Sequence, residues 1–569
     1  MTPGKFIATL RRRGSSFRRL CLPAALLSAV LIFASHVGAK TVPLAHFARP
    51  PMGWDSWNSF SNTIDSRIVV AQAHAMVNSG MHAAGYKYIV IDEGWWRGKR
   101  NANGNIRVNP QQWPALAPGE KAGNMANIAR FLHHLGLKAG IYTDAGPFGC
   151  GYPYPDIGPH YPNTGSLGYY DQDMQWFAKK GFDYIKIDWC GGYSYNLDPA
   201  VQYAQLARAI ERARIKTGHS IYFSICEWGR QSPWTWAAGV GGITADMWRT
   251  GGDITPPIVD VHAEDNRRVG PANVFKNFDA GLHPEGQHTG YYNDMDMMVV
   301  GMRGMTLADD RLHMSLWAIS GAPLIVGSDL TKLNKAEVAV LINRQAVAID
   351  QDPMGVQCIN VGHYQAGLQA WAKPMPTAGV RAVVLLNRTK KRAAMTMRWR
   401  DIGLDARAGV DVRDVWAHRN LGVHKSTFTA NVGPQNMRMF LVSGRSERAK
   451  IYRPYRKPVS HIANGALGQG AYNPADIVAF HRMATQNFST YIEVNYINRT
   501  KFPIIARLQV DDSYVTKVLF PPAGTGPSGV RMVPLEVNFS RPGKHNTLRF
   551  SSPVFGRKFA IKSVTVLPW

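Results

Sequence analysis

The chain has 569 residues, 45% of them hydrophobic and 18% charged, with 65 Lys and Arg against 39 Asp and Glu for a formal charge of +26. That length predicts two or three compact units, and the composition excludes both a disordered chain and a protein built mainly of membrane spans. The basic residues are spread along the chain, densest at 445–457, and no nucleic-acid-binding module accompanies them, so no nucleic-acid partner is expected.

The N-terminus carries six basic residues between Lys5 and Arg19, an apolar run at 20–34 and the small-residue pattern Val37-Gly38-Ala39. This is the pattern of a secretory signal peptide over 1–39, cut after Ala39, with a retained membrane anchor as the alternative. Cleavage lowers the formal charge from +26 to +20, leaving a basic surface or an affinity for acidic polysaccharide. Cys150, Cys190, Cys226 and Cys358 remain, and in an oxidising compartment one local disulfide is reasonable.

Residues 40–345 alternate β-branched runs with helical stretches, the rhythm of parallel βαβ units. Buried strands are predicted at 86–92, 137–144, 182–188, 219–226 and 246–249. Helices are predicted at 65–79, with Asp65 as N-cap and Gly80 beyond its end, and at 170–180, stopped by Gly181. Polar residues recur at the strand ends, as in a (β/α)8 TIM barrel whose site is built there. An open doubly wound sheet is the competing fold, without a glycine-rich phosphate loop to support it. Residues 346–445 change to an antiparallel β rhythm, with strands at 381–386 and 437–442. A basic linker is expected at 446–458, and a second β-sandwich module at 459–569, with strands at 491–496, 505–510, 546–550 and 560–566.

The run Asp183-Tyr184-Ile185-Lys186-Ile187-Asp188 is the richest in chemistry. Period-two geometry puts Tyr184, Lys186 and Asp188 on one face. Lys186 beside Asp188 would hold that carboxylate ionised, which suits attack on an anomeric carbon, or would form a structural ion pair. A second carboxylate, Asp253, follows the strand at 246–249 in a glycine-rich turn. It reads either as a cap residue or as the proton donor that hydrolysis with retention requires, its pKa raised by repulsion from Asp188.

Several blocks occur together: Pro51-Met52-Gly53-Trp54-Asp55-Ser56-Trp57-Asn58, Tyr142-Thr143-Asp144-Ala145-Gly146, Lys186 through Cys190, Cys226-Glu227-Trp228-Gly229, Trp248-Arg249 through Asp253, and Asn293-Asp294-Met295-Asp296-Met297. Across 48–445 the chain therefore resembles the melibiase-type α-galactosidases of glycoside hydrolase family 27. The resemblance implies a TIM barrel followed by an antiparallel β domain, retaining cleavage of α-galactosides from carbohydrate chains, and no metal or cofactor. It makes Asp188 the nucleophile and Asp253 the acid/base. It lines the sugar pocket with Trp57, Asp92, Tyr142, Lys186, Glu227 and Arg249, and joins Cys150 to Cys190, leaving Cys226 and Cys358 free. Asp144 and Asp296 fit either a structural or a site role.

One departure bears on specificity. The family usually has two aspartates where this chain has Asp92-Glu93. The longer Glu93 would crowd the exocyclic C6 group and favour a β-L-arabinopyranoside, or would bend aside and leave galactose preferred. At Glu227 the resemblance implies a free 2-hydroxyl rather than an N-acetyl group, since relatives that accept the latter carry smaller residues there. Residues 459–569 resemble galactose-binding-like carbohydrate modules, without the acidic opening that supplies calcium ligands in such modules. A lectin-like protein with an inactive barrel is the non-enzymatic alternative.

Overall fold

The β-branched and aromatic runs form eight parallel strands: β1 (Met52–Asp55), β2 (Tyr88–Ile91), β3 (Lys138–Asp144), β4 (Tyr184–Asp188), β5 (Tyr222–Cys226), β6 (Met247–Arg249), β7 (Tyr292–Asp294) and β8 (Leu324–Val326). They are seen in a computed structural model that describes residues 48–566 apart from 97–98, 152–163, 239–244, 256–267, 288–289, 363, 454–476, 484–489, 501–503, 512–513, 521–528, 536–545 and 553–557. The expected signal peptide, and part of the expected linker, lie outside the described residues.

Sequential strands pair from β1 to β7, and β8 returns to β1 with Gly53 opposite Ile325. The last seam is joined just beyond β7. The Met298 N–H donates to the Ile325 carbonyl at 2.7 Å, and the Met298 carbonyl accepts from the Gly327 N–H at 2.8 Å. Both edges of the sheet are thus engaged, which rules out the open doubly wound alternative. Strands β1, β7 and β8 are additions to the predicted ones: Met-Gly-Trp-Asp and Tyr-Asn-Asp lack a β-branched run, and each of the three has only three or four residues.

Alternation along the strands separates two environments. Ile89, Ile91, Ile185, Ile187, Phe223 and Ile225 face outward into the core shared with the helices. Burying a side chain of this size contributes about 1.5–3 kcal/mol. Inside the barrel, Tyr88, Val90, Tyr184, Tyr222, Met247 and Tyr292 form a separate plug, with the Tyr184 and Tyr222 rings stacked 5.5 Å apart. Further along the same strands the inward residues turn polar, so the site rests on an aromatic floor.

The two predicted helices occur at Ser66–Asn78 and Tyr170–Lys180. Asp65 caps the first by accepting the Ile68 N–H at 2.9 Å, and Gly181, at φ +87°, ends the second. The helix Arg344–Asp350 continues past the boundary expected at 345, with Ala346 and Ile349 in the barrel core.

An antiparallel β unit follows. Its six-stranded sheet and a two-stranded pair, Ala393–Arg398 with Thr427–Val432, enclose Trp399, Val412 and Phe440. The last unit has two four-stranded sheets around Phe480, Phe520, Phe550 and Phe559. Lys450–Tyr452, inside the stretch expected as linker, forms one of its strands against Phe559–Val566. Backbone pairing at a sheet edge needs no apolar run, so this basic segment carries no strand signal in its sequence. Tyr491 donates its hydroxyl proton to the Gln357 carbonyl, tying this unit to the preceding one. Among the described residues no helix is long and apolar enough to cross a membrane.

Candidate active site

Asp188 ends β4, with Asp144 of β3 and Cys226 of β5 as its register neighbours. It is buried; Oδ2 lies 3.4 Å from Cys150 Sγ, and the Cys226 thiol hydrogen-bonds the carboxyl. Burial pushes its carboxyl up to about 6, against the attraction of Lys186 and with repulsion from Asp92. Lys186 favours the charged form of Asp188, as expected, but not through a direct ion pair with it. The Lys186 ammonium is instead 2.7 Å from Asp92 Oδ2, just past the end of β2, two strands along with β3 between. Residues two apart on one strand stand about 7 Å apart, and the long lysine chain extends past β3 to Asp92 instead of folding back along its own strand.

Asp55, at the end of β1, completes this cluster, a role that its sequence motif alone does not assign. Burial and then the neighbouring Asp92 raise its carboxyl well above the usual carboxylate range. Burial alone would lower Lys186, but Asp92 and Asp55 outweigh it and hold the ammonium charged. Asp55 also accepts the Trp57 N–H at 2.9 Å, which sets the half-buried Trp57 at the start of the loop after β1. The sequence signal for Asp55 is its position: an acidic residue closing a strand, as in β3, β4 and β7.

Tyr142 is buried on β3 with its ring 5.7 Å from the Lys186 ammonium and stacked 5.8 Å from Trp96. Glu93 follows Asp92 and turns away from it. Both of its carboxyl oxygens accept the Gly151 N–H, at 2.9 and 3.1 Å, and burial pushes the group up to about 8. It also lines a pocket of about 400 Å³ with Asn62, Trp96 and Gln112. The longer side chain is thus held toward the loop after β3.

Arg249 ends β6 and joins two carboxylates. Its Nη2 is 2.9 Å from Asp253 Oδ1, and its Nη1 is 3.0 Å from Asp296 Oδ1. Asp296 adopts φ +83° and accepts the Ile254 and Met297 N–H groups at 2.7 and 2.8 Å, so it fixes both the arginine and the turn behind Asp253. The Asp253 side chain itself is 49% exposed, at the open side of the site. Glu227, one residue beyond β5, accepts the Gln231 N–H at 3.0 Å and the Tyr193 hydroxyl at 3.3 Å, and burial pushes it up to about 7.

Cys150 and Cys190 are joined by a disulfide, while Cys226 and Cys358 are free and buried. Asp144 supports that disulfide, accepting the Gly146 N–H at 2.6 Å and the Cys190 N–H at 2.7 Å. Gly146 is required where these loops touch, since a Cβ there would lie 2.1 Å from the Cys190 carbonyl oxygen. Among the described residues only Asp144, Cys150 and Cys190 group as metal ligands would, and the disulfide uses both sulfurs.

A family model described as Alpha galactosidase A matches residues 49–352, and one described as Alpha galactosidase C-terminal beta sandwich domain matches 365–442. Alpha-galactosidase 2 of Arabidopsis thaliana is 35% identical over 396 residues, covering 70% of this chain and 90% of that protein. Alpha-galactosidase A of Cellvibrio japonicus is 37% identical over 399 residues, covering 67% and 86%. Among solved structures, alpha-galactosidase I from Mortierella vinacea matches with a TM-score of 0.60 at 26% identity, over 71% of this chain and 99% of that one. A β-L-arabinopyranosidase from Geobacillus stearothermophilus shares the fold, with a TM-score of 0.55 at 20% identity over 70% and 96%.

Proposed function

The chain belongs to the alpha galactosidase A family, glycoside hydrolase family 27, and on that premise we propose that it releases terminal α-D-galactose from oligo- or polysaccharides with retention of configuration. Asp188 is the nucleophile: its carboxylate attacks the anomeric carbon, the bond to the leaving oxygen breaks, and a glycosyl ester forms. Asp253 gives its proton to that oxygen, then takes one from the water that cleaves the ester, which restores both carboxyls. The observation that carries this reading is the place of Asp188 at the end of β4, beside Asp144 and Cys226 and within the field of Lys186, Asp92 and Asp253, a strand-end carboxyl at the mouth of the barrel. Asp92, Lys186, Tyr142, Trp57, Glu227 and Arg249 surround the sugar, with the ring hydroxyls bonded to the charged groups.

The leader at 1–39 supports export, with the mature chain beginning after Ala39. Galactose is favoured over L-arabinopyranose because Glu93 is tied to the Gly151 N–H. The second reading, a β-L-arabinopyranosidase, draws on the extra methylene of Glu93, a change worth about 1–3 kcal/mol in selectivity.

The test compares kcat/KM on aryl α-D-galactopyranoside and aryl β-L-arabinopyranoside for the natural chain, Glu93→Asp and Asp188→Ala. Preference for galactoside in the natural chain and loss of turnover in Asp188→Ala are expected. Undiminished hydrolysis by Asp188→Ala would remove Asp188 as nucleophile. A natural preference for the arabinoside that Glu93→Asp reverses would establish the second reading.

A further inference from the structure

Beyond the sugar pocket, the loops after β4 and β5 meet at an arrangement that galactose recognition does not use. The Arg230 guanidinium lies against two aromatic rings, 5.1 Å from the centroid of Tyr193 and 5.3 Å from that of Trp228. Trp228 holds φ +57°, a left-handed conformation that bulky residues rarely adopt and that structures retain mainly at functional sites. The next residue, Gly229, is pressed against the Thr250 carbonyl, where a Cβ would have no room. The turn is thus closely packed around the tryptophan beside Arg230.

Arg230 is exposed and has no ion-pair partner among the described residues. Glu227 attracts Arg230 without an ion-pair contact, its oxygens accepting the Gln231 N–H and the Tyr193 hydroxyl. The two rings hold the guanidinium, one of its N–H groups is shared with the Tyr193 hydroxyl, and the remaining donors of this exposed side chain are left for a ligand. Those donors match a carboxylate, which they can bind through two parallel hydrogen bonds. On the same loop as Tyr193, Tyr195 is 57% exposed and offers a flat face for a sugar ring. A chain with 65 basic against 39 acidic residues would also concentrate an anionic glycan around itself.

We propose that Arg230, with Tyr193 and Trp228, forms a leaving-group subsite for a hexuronate, so that the preferred substrates are α-galactosides carried on an acidic glycan. This rests on the α-galactosidase reading above, since a leaving-group subsite has meaning only beside a working nucleophile.

The experiment uses the full chain and a matched pair of disaccharides, α-galactosyl-1,3-glucuronate and α-galactosyl-1,3-glucose, with an aryl α-galactoside as control. The uronate is expected to be the better substrate by roughly tenfold in kcat/KM, chiefly through KM, with the advantage shrinking at high salt. Arg230→Gln should bring the ratio near one. Arg230→Lys should keep part of it, because charge remains while the planar fork is lost. A ratio at or below one in the natural chain, or a ratio unchanged in Arg230→Gln, overturns the inference. If the aryl galactoside is cleaved while the ratio is one, only the subsite fails; if it is not cleaved, the α-galactosidase reading fails as well.

Discussion

Lys186 and Asp92 are 94 residues apart in sequence, on β4 and just past β2, yet their charges meet at 2.7 Å in the barrel, while Asp188, two residues from the lysine on the same face, makes no direct ion pair with it. The ammonium neutralises one of the carboxylates expected to bind sugar and lowers Asp188 only from a distance. Burial therefore wins at Asp188, and its carboxyl stands near 6. It is ionised at neutral pH, helped by the attraction of Lys186 and by the Cys226 thiol.

Replacing Lys186 with Met should leave Asp55 and Asp92 buried without a cation, at a cost of about 3–5 kcal/mol. It should also raise Asp188 further, because the attraction that most opposes the effect of burial is lost. The expected outcome is a lower melting temperature, roughly a 100-fold or greater loss of kcat/KM, and an acid limb of the pH–rate profile moved upward from about 6. An acid limb that stays in place would show that the lysine acts on Asp92 alone.

Glu93 carries a pH signature in stability. Its folded pKa of about 8 lies above the ordinary value of 4.5, so between those values the folded chain binds the proton more tightly than the unfolded one. Stability must then fall as pH rises through this window, reaching its full loss above pH 8. Glu93→Gln removes the titration and can still accept the Gly151 N–H. Relative to the natural chain, it should gain stability, by a few kcal/mol at most, between about pH 5 and about pH 9. Denaturant unfolding at the two pH values would detect this, and parallel behaviour of the two chains would contradict it.

Asp296→Asn keeps the shape but takes one of two carboxylates from Arg249 and presents an amide where the Ile254 and Met297 N–H groups donate. Asp253 should lose its fixed position, with kcat falling roughly 10- to 100-fold. Poor leaving groups, which depend on proton donation, should suffer more than activated aryl groups. An equal loss on both would mean that Asp296 does not act through Asp253.

Opening the Cys150–Cys190 disulfide releases a loop of 40 residues, worth about 4 kcal/mol in the chain-entropy model. Cys150 Sγ also lies 3.4 Å from both Asp188 Oδ2 and the Tyr142 hydroxyl oxygen. The Cys150→Ser, Cys190→Ser chain should therefore lose activity at temperatures where circular dichroism still shows it folded.

Local chemistry wrote much of this fold legibly into the chain. The helix Tyr170–Lys180 and its stop at Gly181 depend on neighbours within one turn, and the runs that form β2 to β6 are apolar enough to be read alone. The carboxylates at strand ends, Asp188 above all, are legible for the same reason. The tertiary structure decided what depends on residues far apart in sequence: closure of the barrel through Met298, the choice of Asp92 over Asp188 by Lys186, the entry of Asp55 into the charged cluster, and the turn of Glu93 toward Gly151. A buried charge here takes its closest partner from a strand two places along the sheet but 94 residues away in sequence, and that pairing exists only once β2, β3 and β4 lie side by side.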